Sequence, residues 1–564
     1  MDYTKKIERK GKKVKGDWLF PFFVFISVMF LPCTAFSNNV VIENVSLINQ
    51  DTGADTYDIQ FDVSWDNSWY IDGAPTLIAN WDAAWVFAKY SVYNSGTSTW
   101  GEWKHCKLSA TDGNHTAPSG SQIDTGTTGG VGMGIFIYRS AAGTGSVNWD
   151  DAAVEWDYGV EIADSDNVKV KVFAVEMVYI PTGNFYVGDT DCNNDGNIML
   201  NAGCGGGVQI STTITAALCT EANSYDQNIE CTGGDSTGTF CIDGDGGFDL
   251  GCDGIENASF PTGYNAFYIM KYEVTQEQYV DFLNTLTGTQ QTLRASADTA
   301  GNFLNDDDTT TDPQNRGGMR CRTAPSGATP GSYGNDLNDD LTYNDTADGQ
   351  WIAANWLSWM DGAAYADWAG LRPFTELELE KAARGGQAVV NDEYACGSSN
   401  GPDGAYTFTN AGAANESISV NYEADPECNQ VDSTSDGTND GPLRVGIFAD
   451  SDSTRAESGG SYYGVMELSG NLWERSVTIG RTEGRNVFAG THGDGLINAS
   501  GNADNSDWPG YDGDDVTGAT GSGYRGGTWI NSSTNARVSY RSSGAYASTS
   551  RSGNNGFRAV RTSP

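Results

Sequence analysis

The chain has 564 residues, more than one hydrophobic core ordinarily organises, so at least two domains are expected. With 71 Gly and 15 Pro it is neither collagenous nor wholly disordered, and 16 Trp demand a packed interior. The formal charge of −42 removes any electrostatic footprint for nucleic acid or an anionic membrane.

Residues 1–37 read as an export signal. Lys5, Lys6, Arg9, Lys10, Lys12, Lys13 and Lys15 form a basic start, the apolar run Trp18–Phe36 follows, and Ala35 and Ser37 mark a cleavage before Asn38. The alternative is a retained membrane anchor, since the run approaches spanning length. Cys33 after Pro32 fits a lipid-modified cysteine poorly, and no later segment is apolar enough to span. Cleavage would leave 25 Lys and Arg against 71 Asp and Glu, a net charge of −46. The protein is then secreted, periplasmic or held at the cell surface, with no stable membrane span.

Residues 38–174 are expected to form an all-β sandwich. Tyr57, Ile59, Phe61, Val63 and Trp65 alternate with Asp58, Gln60, Asp62 and Ser64, and Val168, Val170, Val172 and Ala174 alternate with Lys169 and Lys171. Apolar runs near Ala84–Tyr93 and Gly134–Tyr138 add strands between Gly/Asp/Ser/Thr turns. This stretch carries no catalytic cluster.

From residue 175 the texture changes to α+β. A strand and turn around Met177–Asp189 lead into a Cys-rich insertion at about 190–262, with Cys192, Cys204, Cys219, Cys231, Cys241 and Cys252. In an exported chain this even set reads as disulfides, with fifteen possible pairings, and the tight C-x-x-C pairs of a zinc site are absent. Three helices are announced by capping boxes: Thr275 with Gln278, Ser358 with Asp361, and Thr375 with Glu378, the last two runs ending at Gly370 and Gly385-Gly386. Residues 286–350 and 386–460 read as long surface loops.

Five motifs then follow one another: E-M-V-Y-I-P-T-G-N-F-Y-V-G-D, F-Y-I-M-K-Y-E-V-T-Q-E-Q-Y, T-E-L-E-L-E-K-A-A-R-G-G, E-L-S-G-N-L-W-E and Y-R-G-G-T-W…G-F-R-A-V-R. Together they resemble the sulfatase-modifying factor family of formylglycine-generating-enzyme-like domains over roughly 176–564. The resemblance implies a compact fold related to C-type lectins. It also implies, for active members, oxidation of a substrate cysteine to formylglycine by copper held on two thiolates, ligands that suit Cu(I). The positions that match the two thiols are Asn531 and Ala536, and no cysteine follows Cys428. No copper is therefore expected and family-type catalysis is not. The related iron enzymes use a histidine triad, for which this chain has only His105, His115 and His492.

Calcium is the metal the resemblance implies, held at Glu467, Gly470, Leu472 and Glu474, with Gly470 and Leu472 acting through carbonyls; the alternative is that Glu474 caps or pairs with an arginine. A second family site would fall at Asn421, Tyr422 and Asp436. Separately from the family, Asp191, Asn193 and Asp195, followed by Gly196 and Ile198, open an EF-hand-like loop whose twelfth position is Ala202 instead of Glu.

Residues 530–555 contain no Lys, Asp or Glu and surround Arg537, Arg541 and Arg551 with Ser, Asn, Thr, Gly and Tyr. This is the composition of adaptable recognition surfaces. It also resembles the variable region of diversity-generating retroelement targets. Trp529, Asn531, Ser533, Asn535, Tyr540 and Tyr546 are the candidate ligand contacts, while the arginines read as structural hydrogen-bond donors. Three functions stay open: an inactive binding or structural module for an extracellular protein, peptide or glycan; a true oxidase using Cys321, Cys396 or Cys428; and a hypervariable ligand-binding receptor.

Overall fold

Ile59, Phe61, Val63 and Trp65 are buried on one face of the strand Thr56–Ile71, as their alternation requires. They pack against Val86, Ala88, Tyr90, Ile135 and Ile137 in a core of the N-terminal region. The strand Asn80–Asn94 is buried on both faces: Ala84, Val86 and Ala88 enter that core, while Ala83, Trp85 and Phe87 enter the larger core of the following region. Burial on two sides explains why its sequence is a continuous apolar run instead of an alternation. The chain is a computed structural model describing residues 40–73, 78–159, 161–189, 207–211, 255–305, 308–400, 407–419, 441–450 and 453–564. The expected export signal, the six clustered cysteines and Cys428 lie outside the described residues.

A sheet of twelve strands among the described residues runs through both regions. Its path is Val41–Asp51, Thr56–Ile71, Asn80–Asn94, Val168–Ile180, Phe267–Met270, Ala559–Thr562 and Arg372–Pro373. The strand Val168–Ile180 crosses residue 174 without a break. Its first part pairs antiparallel with Asn80–Asn94, from Val92 opposite Val168 to Asp82 opposite Val178, and Met177–Ile180 also pair with Phe267–Met270. The Trp85 indole donates to the Ala369 carbonyl at 2.9 Å. Gly134 makes room for it, since a Cβ there would lie 2.6 Å from the Trp85 ring. Lys89 is buried in the same seam, with Nζ donating to the carbonyls of Trp368 at 2.6 Å and Gly495 at 2.5 Å.

The three expected capping boxes are all present. Thr275 starts helix α1 (Gln276–Leu283), Ser358 starts α3 (Trp359–Trp368) and Thr375 starts α4 (Glu376–Arg384). A fourth, Thr287 with Gln290, starts α2 (Gly288–Arg294) inside the stretch expected to be loop. That stretch also holds the hairpin Met319–Thr323/Ser332–Asn335 and the buried residues Phe303, Met319, Cys321 and Tyr333. The described residues of 286–350 thus pack in part into the domain, while most of 322–330 and 338–346 stays exposed as expected, and polar side chains of the packed part are used in hydrogen bonds such as Gln291 Nε2 to the Leu283 carbonyl. Within 386–460 the described residues include a second short hairpin, Thr407–Thr409/Ser417–Ser419, and buried Leu443, Val445 and Phe448. No helix among the described residues is long and apolar enough to cross a membrane.

Candidate functional site

The turn Glu467–Leu472 enters the strand Trp473–Val477 in a tightly wound backbone: Glu467, Gly470 and Asn471 have φ of 54°, 93° and 60°. Left-handed Glu and Asn are sparsely populated conformations that persist where the surroundings over-determine them. Three buried carboxylates converge electrostatically here: Glu273, Glu467 and Glu474. Glu273 accepts from Asn471 Nδ2 and from the Leu472 amide at 3.1 Å. Glu467 Oε1 accepts from the Gly446 amide at 2.7 Å. Glu474 Oε1 takes both Nε and Nη2 of Arg558, at 2.8 and 2.5 Å, and Arg558 spends its remaining donors on the carbonyls of Met466, Met270 and Lys271.

Arg558 is thus bonded to Glu474, and its charge also acts on Glu273 and Glu467, the latter together with Arg444. Burial raises all three acids, Glu467 to about 7, with the neighbouring carboxylates adding to the rise at Glu273 and Glu467. Glu467 Oε2 and Glu474 Oε2 are buried without a hydrogen-bond partner. Two orphaned carboxylate oxygens on one turn fit a hard divalent cation that takes carboxylates and carbonyls together. No cluster of three or more His, Cys, Asp or Glu side chains poised for a metal occurs among the described residues, so such an ion would depend on the carbonyls of Gly470 and Leu472. The alternative foreseen for Glu474, an arginine partner, is also realised in Arg558. Glu273 and Arg558 are additional members of the site that spacing does not single out; each is a charged residue buried within a motif of the family resemblance, K-Y-E-V-T and G-F-R-A-V. Asn421, Tyr422, Asp436, Asp191, Asn193 and Asp195 lie outside the described residues.

The strand Ser522–Arg525 leads into Gly526-Gly527, both at positive φ, and a Cβ on Gly527 would meet the Ala536 backbone nitrogen at 2.8 Å. This close approach folds the segment carrying Asn531 and Ala536 back on the strand end. Asn531 is half-buried. Ala536 is buried against Tyr394 and Cys396. The two positions that the resemblance matches to the family's thiols thus carry an amide and a buried methyl group. Cys321 is buried in its hairpin, where burial lifts its thiol to about 11. Among the ligand candidates, Ser533 and Tyr546 are exposed and Asn535 and Tyr540 half-buried. Trp529 is buried, its indole donating to the Gly553 carbonyl at 3.1 Å.

The three arginines of this segment point into the scaffold. Arg537 pairs with Asp392 at 2.7 Å, Arg551 with Asp361 at 2.8 Å, and Arg541 Nε and Nη2 grip Glu376 at 2.6 and 2.8 Å. Burial alone would raise Glu376, but Arg541, Arg525 and the Thr478 hydroxyl hold it down at about 2. The segment is pinned from below by guanidinium groups, and its outer side shows Ile530, Ser532, Ser533 and Tyr546 to solvent.

Residues 164–563 match the family model described as sulfatase-modifying factor enzyme 1-like domain. No curated protein matches the chain. Among solved structures, Treponema denticola variable protein 1 aligns at 14% identity and a TM-score of 0.23, covering 53% of this chain and 85% of that one. The family match extends over most of the chain and takes in the carboxylate turn, the Gly526-Gly527 turn and Arg558. The chain belongs to the sulfatase-modifying factor enzyme 1-like domain family.

Proposed function

We propose that this is an exported protein whose sulfatase-modifying-factor-like domain serves as an extracytoplasmic binding or structural module and does not generate formylglycine. The observation that carries this reading is the pair Asn531 and Ala536 at the positions of the family's copper thiols. Cu(I) is soft and prefers sulfur; neither side chain offers it, and the methyl of Ala536 is turned into an apolar cluster. Calcium at Glu467, Gly470, Leu472 and Glu474 is part of the same proposal and serves to brace the turn.

The ligand face is the outer side of residues 530–550. Its support is the division of labour within the segment: arginines committed to Glu376, Asp361 and Asp392 below, small polar residues and Tyr546 outside. That division also favours the reading as a hypervariable receptor, because a surface anchored through fixed arginines tolerates exchange of its exposed residues. Codons in this segment biased towards adenine-mutable positions, beside a reverse transcriptase gene, would bear that reading out. The catalytic half is tested by Cu(I) titration of the full chain and of Asn531→Cys/Ala536→Cys. The double variant is expected to gain one tightly bound Cu(I) relative to the wild type. Equal binding by both would place copper elsewhere and overturn the assignment of the thiol positions.

A further inference from the structure

Asp361, the third residue of helix α3, completes the Ser358 capping box, accepting from the Ser358 amide at 2.9 Å and hydroxyl at 2.7 Å. It is fully buried, and it is also where guanidinium groups gather. Arg551 holds it with two parallel bonds, Nε to Oδ2 and Nη2 to Oδ1, both 2.8 Å. Arg294 Nη1 lies 3.1 Å from Oδ1, without the alignment of a hydrogen bond. Arg475, from the strand Trp473–Val477, is within the electrostatic reach of the same carboxylate. Two guanidinium groups, Arg551 and Arg294, thus share one anion, and Arg475 beside them has no ion pair among the described residues, in a chain whose net charge is −42.

Arg475 is the least satisfied of the three. Its side chain is fully buried, its guanidinium carbon stands 4.0 Å from the centre of the Tyr524 ring, and Nη2 donates to the Ser550 carbonyl at 3.3 Å. Nε and Nη1 have no acceptor. Burial pushes this guanidinium below its usual range. Buried charged donors without acceptors are among the costliest groups to leave unmade, so the two nitrogens call for a partner. Only the C-terminal segment lies between this guanidinium and solvent on the side of Ser550. Tyr546 stacks on Tyr524 at 5.9 Å and is 42% exposed, Ser550 is exposed, and the Arg551 side chain is 24% exposed.

We propose that Arg475, with the surplus charge of Arg294 and Arg551 behind it, is the binding point for a single oxyanion, a carboxylate or a sulfate ester, carried by the ligand of the C-terminal face. The inference rests on the reading of that face as the recognition surface. The planar fork of a guanidinium matches both oxyanions with paired hydrogen bonds, and the Tyr524/Tyr546 stack supplies an aromatic wall for the group that bears them. Elsewhere the acidic surface repels such a ligand, which confines it to this point.

The test is calorimetric titration of the full chain with methyl glucuronide and with methyl sulfate, against sodium chloride at matched ionic strength. Saturable binding of at least one is expected, and which one separates the carboxylate source from the sulfate source. Arg475→Met should weaken it roughly ten-fold or more, the loss expected for a charge-assisted hydrogen bond. Its melting temperature without anion should be unchanged or higher, because the removed charge forms no ion pair of its own. No saturable binding, or equal binding by wild type and Arg475→Met, overturns the proposal. If the variant does not fold, the Nε–H resonance of Arg475 in the wild type must shift on titration; a stationary resonance is equally fatal. Oxyanion binding that survives while Tyr546→Ala leaves it untouched supports the site and rejects the surrounding face as the recognition surface.

Discussion

At Glu467 and Glu474 the chain places two acids where water cannot solvate them, and of the two only Glu474 is bonded directly to an arginine, Arg558. Glu467 is held at about 7 in the fold against 4.5 in an unfolded chain. Between those values the native state binds the extra proton, so the stability this residue contributes is full below pH 4.5 and lost as pH rises through about 7. The span is on the order of 3 kcal/mol. In chelator, the melting temperature of the wild type should therefore fall across that window more steeply than that of Glu467→Gln. Calcium binds the ionised form and should reverse the difference at pH 7 and above. Identical pH profiles for the two proteins, with and without calcium, would contradict the assignment. Glu467 and Glu474 were legible because the G-N-L-W-E turn is a motif of adjacent residues. Glu273 was not, because it lies 194 and 201 positions away and meets them only through the sheet.

Among the elements, helix α4 shows how a polar sequence becomes a core. Glu376, Glu378 and Glu380 are all buried, paired with Arg541, Arg372 and Arg525 respectively, and the pattern E-L-E-L-E looks like a surface helix until those arginines arrive from distant segments. Arg541→Met should cost about 3–5 kcal/mol, because it removes one partner of a buried pair and leaves Glu376 with Arg525 alone. Urea denaturation measures this directly; a loss below about 1 kcal/mol would mean that Arg541 does not anchor the C-terminal segment. The helix starts themselves were readable, since a capping box is a local signal three residues long. Helix α2 carries the same signal at Thr287 and Gln290, but the Gly, Asn and Asp around it mimic a loop. Only burial against α1 and the Met319–Asn335 hairpin distinguishes the two.

For the molecule as a whole, the strand Val168–Ile180 is the decisive element. It pairs with the N-terminal sheet along one stretch and with Phe267–Met270 along the other, and Trp85 and Lys89 cross the same seam. The change of texture near residue 175 is a real change of composition, but hydrogen bonding does not stop there, and alternation alone cannot show which strand lies next to which. Heating should accordingly give one calorimetric transition for the N-terminal sheet and the family domain together, and a fragment beginning at residue 175 should lose cooperative unfolding. Two well-separated transitions would show the regions to be independent. On the proposed reading, this same joined body carries Asn531 and Ala536 where the resemblance places the family's thiols, and does not generate formylglycine. Its function is best tested by incubating the full chain with a cysteine-containing sulfatase peptide, oxygen and copper, and following the peptide by mass spectrometry. The account predicts that the cysteine stays unconverted with and without copper; copper-dependent conversion of the cysteine to formylglycine would contradict it.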